Sequence, residues 1–394
     1  MRTITWILIF TLVLSVATGG ISTPSGVHHQ GVLVNSSSPS QTPSPLIITS
    51  NSEMASMSSS GVGTRSDPYI LGAREIVADG TCIQIENTTA FFVLQGGNYG
   101  IEELSIYQSP VIMLKNVRHG TIMNSHTSGG EFGIYLQDTD DCKIINCITK
   151  DAIKGILLEN ADNCTVRDSR EFHNEIGVSL LVTSNSSIVN NTIYANSQIG
   201  VELGFYSQDN EVYQNIIGWN DGRNAFDNGQ NNNFTDKLRL GNLWSDYSGT
   251  GIYTVQGNSM STDSHAGRLR DSIVPLVYYT ESTIVDVEST DEYLSWRCID
   301  EYPDTFTIYV NREIETQGFW ESELLSLQID QLPVGSYNVT LSVSDAAGNT
   351  RTTYTTVAVI SYMLGGIGTE LVMIASGVTL FIFILLIIII KKVL

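Results

Sequence analysis

Positively charged residues are scarce in this chain of 394 residues. It has 20 Lys and Arg against 41 Asp and Glu, which gives a formal net charge of −21 at pH 7. All of the acidic residues fall between Thr18 and Glu370, and a segment of this charge repels phosphate backbones. The composition therefore excludes nucleic acid as a partner, and it is compatible with a solvated outer surface or with bound Ca²⁺.

Two stretches near the ends of the chain lack charge altogether. Arg2 precedes an apolar stretch over Ile4–Val16 and then small residues, which predicts a secretory signal peptide over residues 1–19. An uncleaved anchor helix is the alternative, but the stretch is short for a bilayer. Leu371–Ile390 is an uncharged run of 20 residues followed by two lysines, which predicts a transmembrane helix over residues 371–390.

These ends predict a single-pass protein of the cell membrane, with its N-terminal ectodomain outside and a cytoplasmic tail over residues 391–394. Residues 20–62 are rich in Ser, Thr and Pro without a period, so we expect a disordered linker there. Besides Asn35 in that linker, acceptor sequons for N-glycosylation occur at Asn87, Asn163, Asn185, Asn190, Asn233 and Asn338.

A repeat occupies the middle of the chain. Rows that open VIML, GIYL, GILL, GVSL and GVEL start 22, 22, 22 and 23 residues apart, beginning at Val111. The second and fourth residues of each row are apolar, whereas the residue between them varies in type. This alternation predicts a strand that buries one constant face, with Leu158 inside and Leu157 pointing outward to solvent.

Each row also contains a second strand. An apolar residue lies eleven positions into the row, as at Ile122 and Ile144, and a polar position follows two residues later. Two strands and two turns in about 22 residues predict one coil of a parallel β-solenoid. A leucine-rich repeat has a similar period, but its L-x-x-L-x-L signature is missing. The polar positions should bond from coil to coil as a ladder of Asn124, Asn146, Asp168 and Asn190.

Two longer motifs carry a resemblance to a known family. GTRSDPYILGAREIVADGTCIQIENTTAFFVLQG, Gly63–Gly96, resembles the opening coils of archaeal right-handed parallel β-helix proteins, and GNLWSDYSGTG, Gly241–Gly251, is similar to their closing motif. The family is grouped with the periplasmic NosD protein and with carbohydrate-binding proteins and sugar hydrolases. The resemblance implies an all-β chain with a pectin-lyase-like solenoid over residues 63–276. This fold hosts enzymes, binders and structural spikes alike.

The pattern changes after Leu276 to short alternating strands separated by turn signals. This part resembles the immunoglobulin-like modules of archaeal surface proteins, which implies a β-sandwich over residues 277–360 with Trp296 in its core. No Cys pair brackets that Trp, so it is not an antibody-type domain. A juxtamembrane linker over residues 361–370 follows, and we expect the sandwich to act as a stalk.

Two stacked acids are the candidate catalytic residues. Asp140 and Asp162 lie one row apart, and Arg118 lies one row below Asp140. Such a pair could serve as the two carboxylates of a glycosidase or as a Ca²⁺ site, or it could reflect the preference of turns for Asp. The Gly-His-Gly and Arg-Ile-Lys motifs of polygalacturonase-like members are missing, which argues against a hydrolase.

Copper is suggested by the NosD name, and Met113, His119, Met123 and His126 are residue types that copper accepts. Met113 and Met123 belong to different strands of one coil, however, and neighbouring rows do not repeat the histidines. We therefore expect no cofactor and no copper, and bound Ca²⁺ stays possible.

Exposed aromatic rings are the candidate carbohydrate-binding residues, because sugars stack on them. Tyr206, Tyr213 and Trp219 gather towards the C-terminal coils. The alternative is that aromatic residues in this region cap the open end of the solenoid.

Cys142 and Cys164 are 22 residues apart, one full coil, so they should be stacked neighbours. They are a candidate disulfide in an extracellular compartment, and two reduced thiols are the alternative.

The sequence thus predicts a surface protein with three possible functions. The first is a non-enzymatic binder of glycans or partner proteins. The second is a polysaccharide-modifying hydrolase or lyase, and the third is a structural component of the cell envelope.

Overall fold

The computed structural model describes residues 44–101, 109–279, 283–321 and 323–361. The predicted signal peptide, transmembrane helix and cytoplasmic tail lie outside these ranges. Within them, every helix is too short or too polar to cross a membrane.

The repeat folds into a right-handed parallel β-helix whose coils cross three faces in turn. The first face is a sheet of eight parallel strands. Its strands are β1 (Leu46–Ile48), β4 (Ile83–Thr88), β6 (Pro110–Val117), β8 (Phe132–Asp140), β11 (Lys154–Asp162), β14 (Ile176–Leu181), β17 (Ile199–Leu203) and β20 (Arg223–Asp227).

The second and third faces form one sheet of 14 strands, because two long strands, β5 (Phe92–Ile101) and β7 (Gly120–Ser128), run across both. The second face also holds β2 (Tyr69–Leu71), β9 (Lys143–Ile145), β12 (Thr165–Arg167), β15 (Ser187–Val189) and β18 (Glu211–Tyr213). The third face holds β3 (Glu75–Ala78), β10 (Ile148–Lys150), β13 (Arg170–Phe172), β16 (Thr192–Tyr194), β19 (Ile216–Gly218), β21 (Leu243–Trp244) and β24 (Gly267–Arg268). A small antiparallel pair, β22 (Tyr253–Thr254) and β23 (Thr262–Asp263), lies beside them.

The register of the rows agrees with the alternation in the sequence. Leu158 pairs with Leu136 on one side and Leu180 on the other, and only 1% of it is exposed. Leu157 was expected to be exposed, and this is wrong, since its exposed fraction is 3%. It faces away from the core, but its neighbours in the same outward row, Tyr135 and Ser179, are buried as well.

Asparagine ladders join the coils both outside and inside. The exposed ladder was predicted, and in it Asn146 Nδ2 donates to Asn124 Oδ1 at 2.7 Å. A buried ladder was not predicted. In it Asn215 Oδ1 accepts from Asn191, and Asn215 Nδ2 donates to Asn242 Oδ1 at 2.9 Å. The buried ladder pairs polar groups that would otherwise lose water without compensation.

The solenoid begins earlier than the sequence indicated. Residues 44–62 were assigned to a disordered linker, but β1 pairs in parallel with β4 and a short helix, α1 (Asn51–Met57), follows it. Met54 is fully buried at this end of the core. This segment is rich in Ser and Pro, but it folds because it buries three apolar side chains, Leu46, Ile48 and Met54.

A second domain follows, made of two sheets around one hydrophobic core that includes Trp296, as predicted. One sheet has three strands in the order β25-β27-β30, and the other has five in the order β26-β32-β31-β28-β29. The strands are β25 (Leu276–Tyr279), β26 (Thr283–Asp286), β27 (Tyr293–Ile299), β28 (Pro303–Val310), β29 (Glu313–Phe319), β30 (Glu323–Gln328), β31 (Gly335–Asp345) and β32 (Thr350–Ile360).

This domain packs against the third face of the solenoid, and its role as a stalk stays a prediction. Phe172 and Tyr194 of the solenoid form a buried cluster with Tyr302. Arg170 donates to the carbonyl of Glu301 at 3.0 Å. Lys150 pairs with Glu321 in the same interface. Aromatic burial and charges of opposite sign therefore hold the two domains together.

One acid lies inside the solenoid without a partner. Glu171, on β13, is fully buried between Thr149 and Ile193 of the adjacent coils, and neither carboxylate oxygen has a hydrogen-bond partner. Burial raises the pKa of Glu171 well above its ordinary value, and the nearby Arg170 offsets this only in part. The native state therefore keeps the Glu171 proton at pH values where an unfolded chain releases it.

Glu171→Ile is expected to stabilise the β-helix by roughly 1–3 kcal/mol near pH 5. Isoleucine already occupies the paired position in the next coil, at Ile193. Because the native pKa is raised, wild-type stability falls as the pH rises above the ordinary Glu pKa of about 4.3, so the difference should grow at pH 8. Urea unfolding at several pH values measures both effects. Glu175→Gln, at an exposed acid in the next turn, is the control. Equal pH slopes for wild type and Glu171→Ile would contradict the assignment.

Candidate functional site

A groove of about 570 Å³ follows the edge between the first and second faces. It crosses the coils at the turn before each second-face strand. Its lining residues are Arg65, Pro68, Phe91, Phe92, Val93, His119, Thr121, Asp141, Lys143, Asn163 and Thr165.

The turn residues of the groove are fixed by their backbone conformation. His119, Asp141 and Asn163 occupy one position in three successive coils, with φ angles of 61°, 54° and 55°. Asn and Asp tolerate this left-handed region better than most residues, and their side chains can bond locally. Asn163 Nδ2 donates to one carboxylate oxygen of Asp141. The repeat thus places functional side chains one above another along the groove.

His119 is held from two sides. Its ring stacks on Phe91 with centroids 4.1 Å apart and planes 3° apart. Its Nδ1 lies 3.6 Å from the second carboxylate oxygen of Asp141. The pair of rings gives the groove a flat aromatic surface beside a carboxylate.

The lining residues that lie on strands belong to one outward-facing row of the second face. Val93, Thr121, Lys143 and Thr165 are paired in register on β5, β7, β9 and β12. Arg65 lies in the loop before β2 and is exposed, as is Lys143. The groove therefore combines rings, hydroxyls and two cationic side chains that have no ion-pair partner among the described residues.

The candidate catalytic acids lie beside the groove and outside its lining. Asp140 and Asp162 are stacked in register, as predicted. Asp140 accepts from Arg118 at 2.8 and 3.0 Å, and Asp162 Oδ1 accepts the backbone N–H of Ser184 at 2.8 Å. Both carboxylates are thus engaged in bonds between neighbouring coils, and a catalytic or Ca²⁺ role for them stays a prediction.

The structure does not bring the three candidate aromatic residues together. Tyr206 is 78% exposed in a turn after β17, and Tyr213 lies on β18 of the second face. Trp219 packs on Tyr302 of the second domain, with ring centroids 4.9 Å apart. Trp219 therefore belongs to the domain interface rather than to an open sugar platform.

The candidate disulfide residues are neighbours in the core. All five cysteines are free thiols in the structure, and Cys142 and Cys164 are both buried. The pKa of Cys142 is raised, first by the adjacent Cys164 thiol and then by burial. Burial also raises the pKa of Cys147 to about 12. The disulfide between Cys142 and Cys164 stays a prediction.

Two of the candidate glycosylation sites already use their amide nitrogen. Asn163 donates to Asp141 inside the groove, and Asn190 donates to Asp168 Oδ1 at 2.7 Å. Asn185 and Asn338 are exposed, and glycosylation at any of these sequons stays a prediction.

An all-oxygen cluster lies outside the groove. Carboxylate oxygens of Asp271, Asp300 and Asp345 lie within 4.8 Å of one another. Burial is the main cause that raises the pKa of Asp300 and of Asp345, and the neighbouring carboxylates add to it. Asp345 already accepts two bonds from Asn349, each at 2.8 Å. The cluster has the donor type that Ca²⁺ prefers, and it is remote from the stacked acids that the sequence suggested.

Comparison with known proteins finds one family model and several solved structures that are similar to this chain. Residues 60–249 match the model of a family described as periplasmic copper-binding protein (NosD). Among solved structures, the chain is similar to pectate lyase Pel9A, with 10% identity over 58% of this chain and 80% of that chain and a TM-score of 0.32. It is also similar to the Dettilon tailspike protein gp208, with 13% identity over 70% of each chain and a TM-score of 0.34. No curated protein matches the chain.

The register of the coils and the family match define the chain as a parallel β-helix protein. The part that matches the NosD model is the solenoid, from the loop before β2 to the turn after β21.

The four candidate copper ligands do not come together in the structure. Met113 lies on the first face, Met123 on the second, and His126 on the part of β7 that belongs to the third. His119 stacks on Phe91 and faces a carboxylate. Copper prefers convergent imidazole, thiolate or thioether ligands, and these side chains point from different faces.

Sequence reasoning missed the groove. The sequence indicated His119 only as a copper ligand type, and it predicted no role for Phe91 or Lys143. The spacing of 22 residues between His119, Asp141 and Asn163 was the available signal, since it places them in one column of turns.

Proposed function

We propose that the chain is a membrane-anchored cell-surface protein whose β-helix binds glycans in the groove without modifying them. The groove itself carries the proposal, because it joins the Phe91–His119 ring pair to the polar groups of Asp141 and Asn163. Sugars pack their C–H faces on aromatic rings, and a few placed polar groups fix their orientation.

The anchoring part of the proposal rests on the sequence. The apolar run over residues 371–390 and the signal-like N-terminus support an outward-facing ectodomain. The second domain, which resembles an immunoglobulin-like module, would link the β-helix to that anchor.

A polysaccharide-modifying enzyme is the second candidate. The approach of His119 Nδ1 to Asp141 Oδ2 at 3.6 Å supports it, because a carboxylate beside an imidazole orients a general base. Asp140 and Asp162, by contrast, are engaged with Arg118 and Ser184.

A panel of immobilised polysaccharides tests the proposal with the detergent-solubilised full chain. Phe91→Ala should weaken binding of a retained glycan about tenfold, because a lost ring contact costs on the order of 1 kcal/mol. Tyr206→Ala, at an exposed ring outside the groove, is the control and should bind as the wild type does.

The opposite pattern, with binding lost in Tyr206→Ala and kept in Phe91→Ala, would place the site elsewhere. Release of shortened products that stops in His119→Asn would favour the enzyme instead.

A further inference from the structure

We infer that the groove selects glycans that carry carboxylate or sulfate groups, an inference that rests on the proposed glycan site. Two basic side chains, Arg65 and Lys143, line the groove. Lys143 is on the outward row of the second face, and Arg65 is in the loop before β2. Neither forms an ion pair with a carboxylate of the described residues, whereas Arg118 and Lys154 do.

The acids near these cations have other partners. Asp141, the only acid among the lining residues, accepts from Asn163 and faces His119. Asp140, beside the groove, is paired with Arg118 at 2.8 Å. Arg65 and Lys143 are therefore left to bind an anionic group on a ligand, and charge-assisted hydrogen bonds are stronger than neutral ones.

The rest of the molecule makes this local cationic region distinctive. The chain has 41 acidic and 20 basic residues, so most of its surface repels an anionic glycan. Positive side chains favour the binding of an acidic glycan, and the groove has two of them beside its aromatic rings.

Matched oligosaccharides test the inference on the full chain in detergent. We expect an oligouronate to bind about tenfold more tightly than its carboxyl-reduced, neutral counterpart. A sulfated oligosaccharide should likewise bind more tightly than its desulfated form. Lys143→Gln and Arg65→Gln should each lower the preference about fivefold. Lys237→Gln removes an exposed positive charge outside the groove and should leave the preference unchanged.

The outcomes separate this inference from the proposed function. If neutral and acidic forms bind equally and Phe91→Ala still weakens both, the glycan site stands and the charge selection is wrong. A preference for acid that survives both Lys143→Gln and Arg65→Gln also overturns it. Failure of every glycan to bind overturns the glycan site itself.

Discussion

Leu158→Asp is expected to unfold the β-helix or to lower its free energy of unfolding by more than about 4 kcal/mol. The side chain lies in a column of stacked leucines, between Leu136 and Leu180, and is 1% exposed. Truncation to Ala alone should cost about 2–5 kcal/mol, and the Asp adds a carboxylate without partners in a dry core. Urea unfolding followed by circular dichroism measures the loss.

The last coil shows what an acid needs in this column. Asp227 pairs with Leu203 and takes the same position in the next coil. It is fully buried, but its carboxylate accepts hydrogen bonds from Gly229, Asn232 and Ser261. Leu158 has no such donors, since its neighbours are leucines.

Leu243→Ala is the matched control for Leu158→Ala, because Leu243 lies on β21 of the same domain and is 41% exposed. It should cost less than about 1 kcal/mol. Equal losses for the two Ala variants would show that the inward row has been assigned to the wrong face.

Asn215→Ala is expected to cost at least about 3 kcal/mol, because several buried polar groups lose their partners together. Asn215 Oδ1 accepts from the backbone N–H and the side-chain amide of Asn191, at 2.9 and 3.0 Å. Its Nδ2 donates to the carbonyl of Ile188 and to Asn242 Oδ1, both at 2.9 Å. Thermal unfolding of purified protein, with an intact β-sheet spectrum before the transition, is the measurement.

Asn190→Gly is the control from the exposed ladder. Asn190 makes one side-chain bond, to Asp168, and has a φ of 56°, which Gly adopts without strain. This variant should cost less than about 1 kcal/mol. A loss as large as that of Asn215→Ala would mean that the exposed ladder, and not the buried one, stabilises the coils.

The repeat made much of the solenoid predictable. Alternation at Ile156 and Leu158 indicated the inward face, and the spacing of Asp140 and Asp162 indicated stacking, because one coil is one period. Local pattern determines these features, so a single sequence contains them.

Features that depend on packing between distant parts were not predictable. Leu157 alternates like an exposed residue, yet it is buried together with Tyr135 and Ser179 beside it. Trp219 reads as a sugar-binding ring, yet it packs on Tyr302, which lies in another domain. Glu171 takes a core position that periodicity assigns to an apolar residue, and no pattern explains why an acid stands there.

The groove was missed for a similar reason. Its lining joins a loop at Arg65 to turns and strands of several coils, and the sequence distance from Arg65 to Thr165 is large. Each residue is ordinary in its own row, and only the stacking makes the set a site.

The docking of the second domain also has an evolutionary consequence. Its contacts begin at β10, where Lys150 pairs with Glu321, and continue through Arg170 and Tyr194 to Trp219. Duplicating or deleting one coil within this span would shift the anchor points by about 4.8 Å and break their match with the second domain. In the described part of the chain, these contacts leave the coils before β10 without that constraint. Gene duplication could therefore lengthen the N-terminal part of the groove, while the docking platform kept its number of coils.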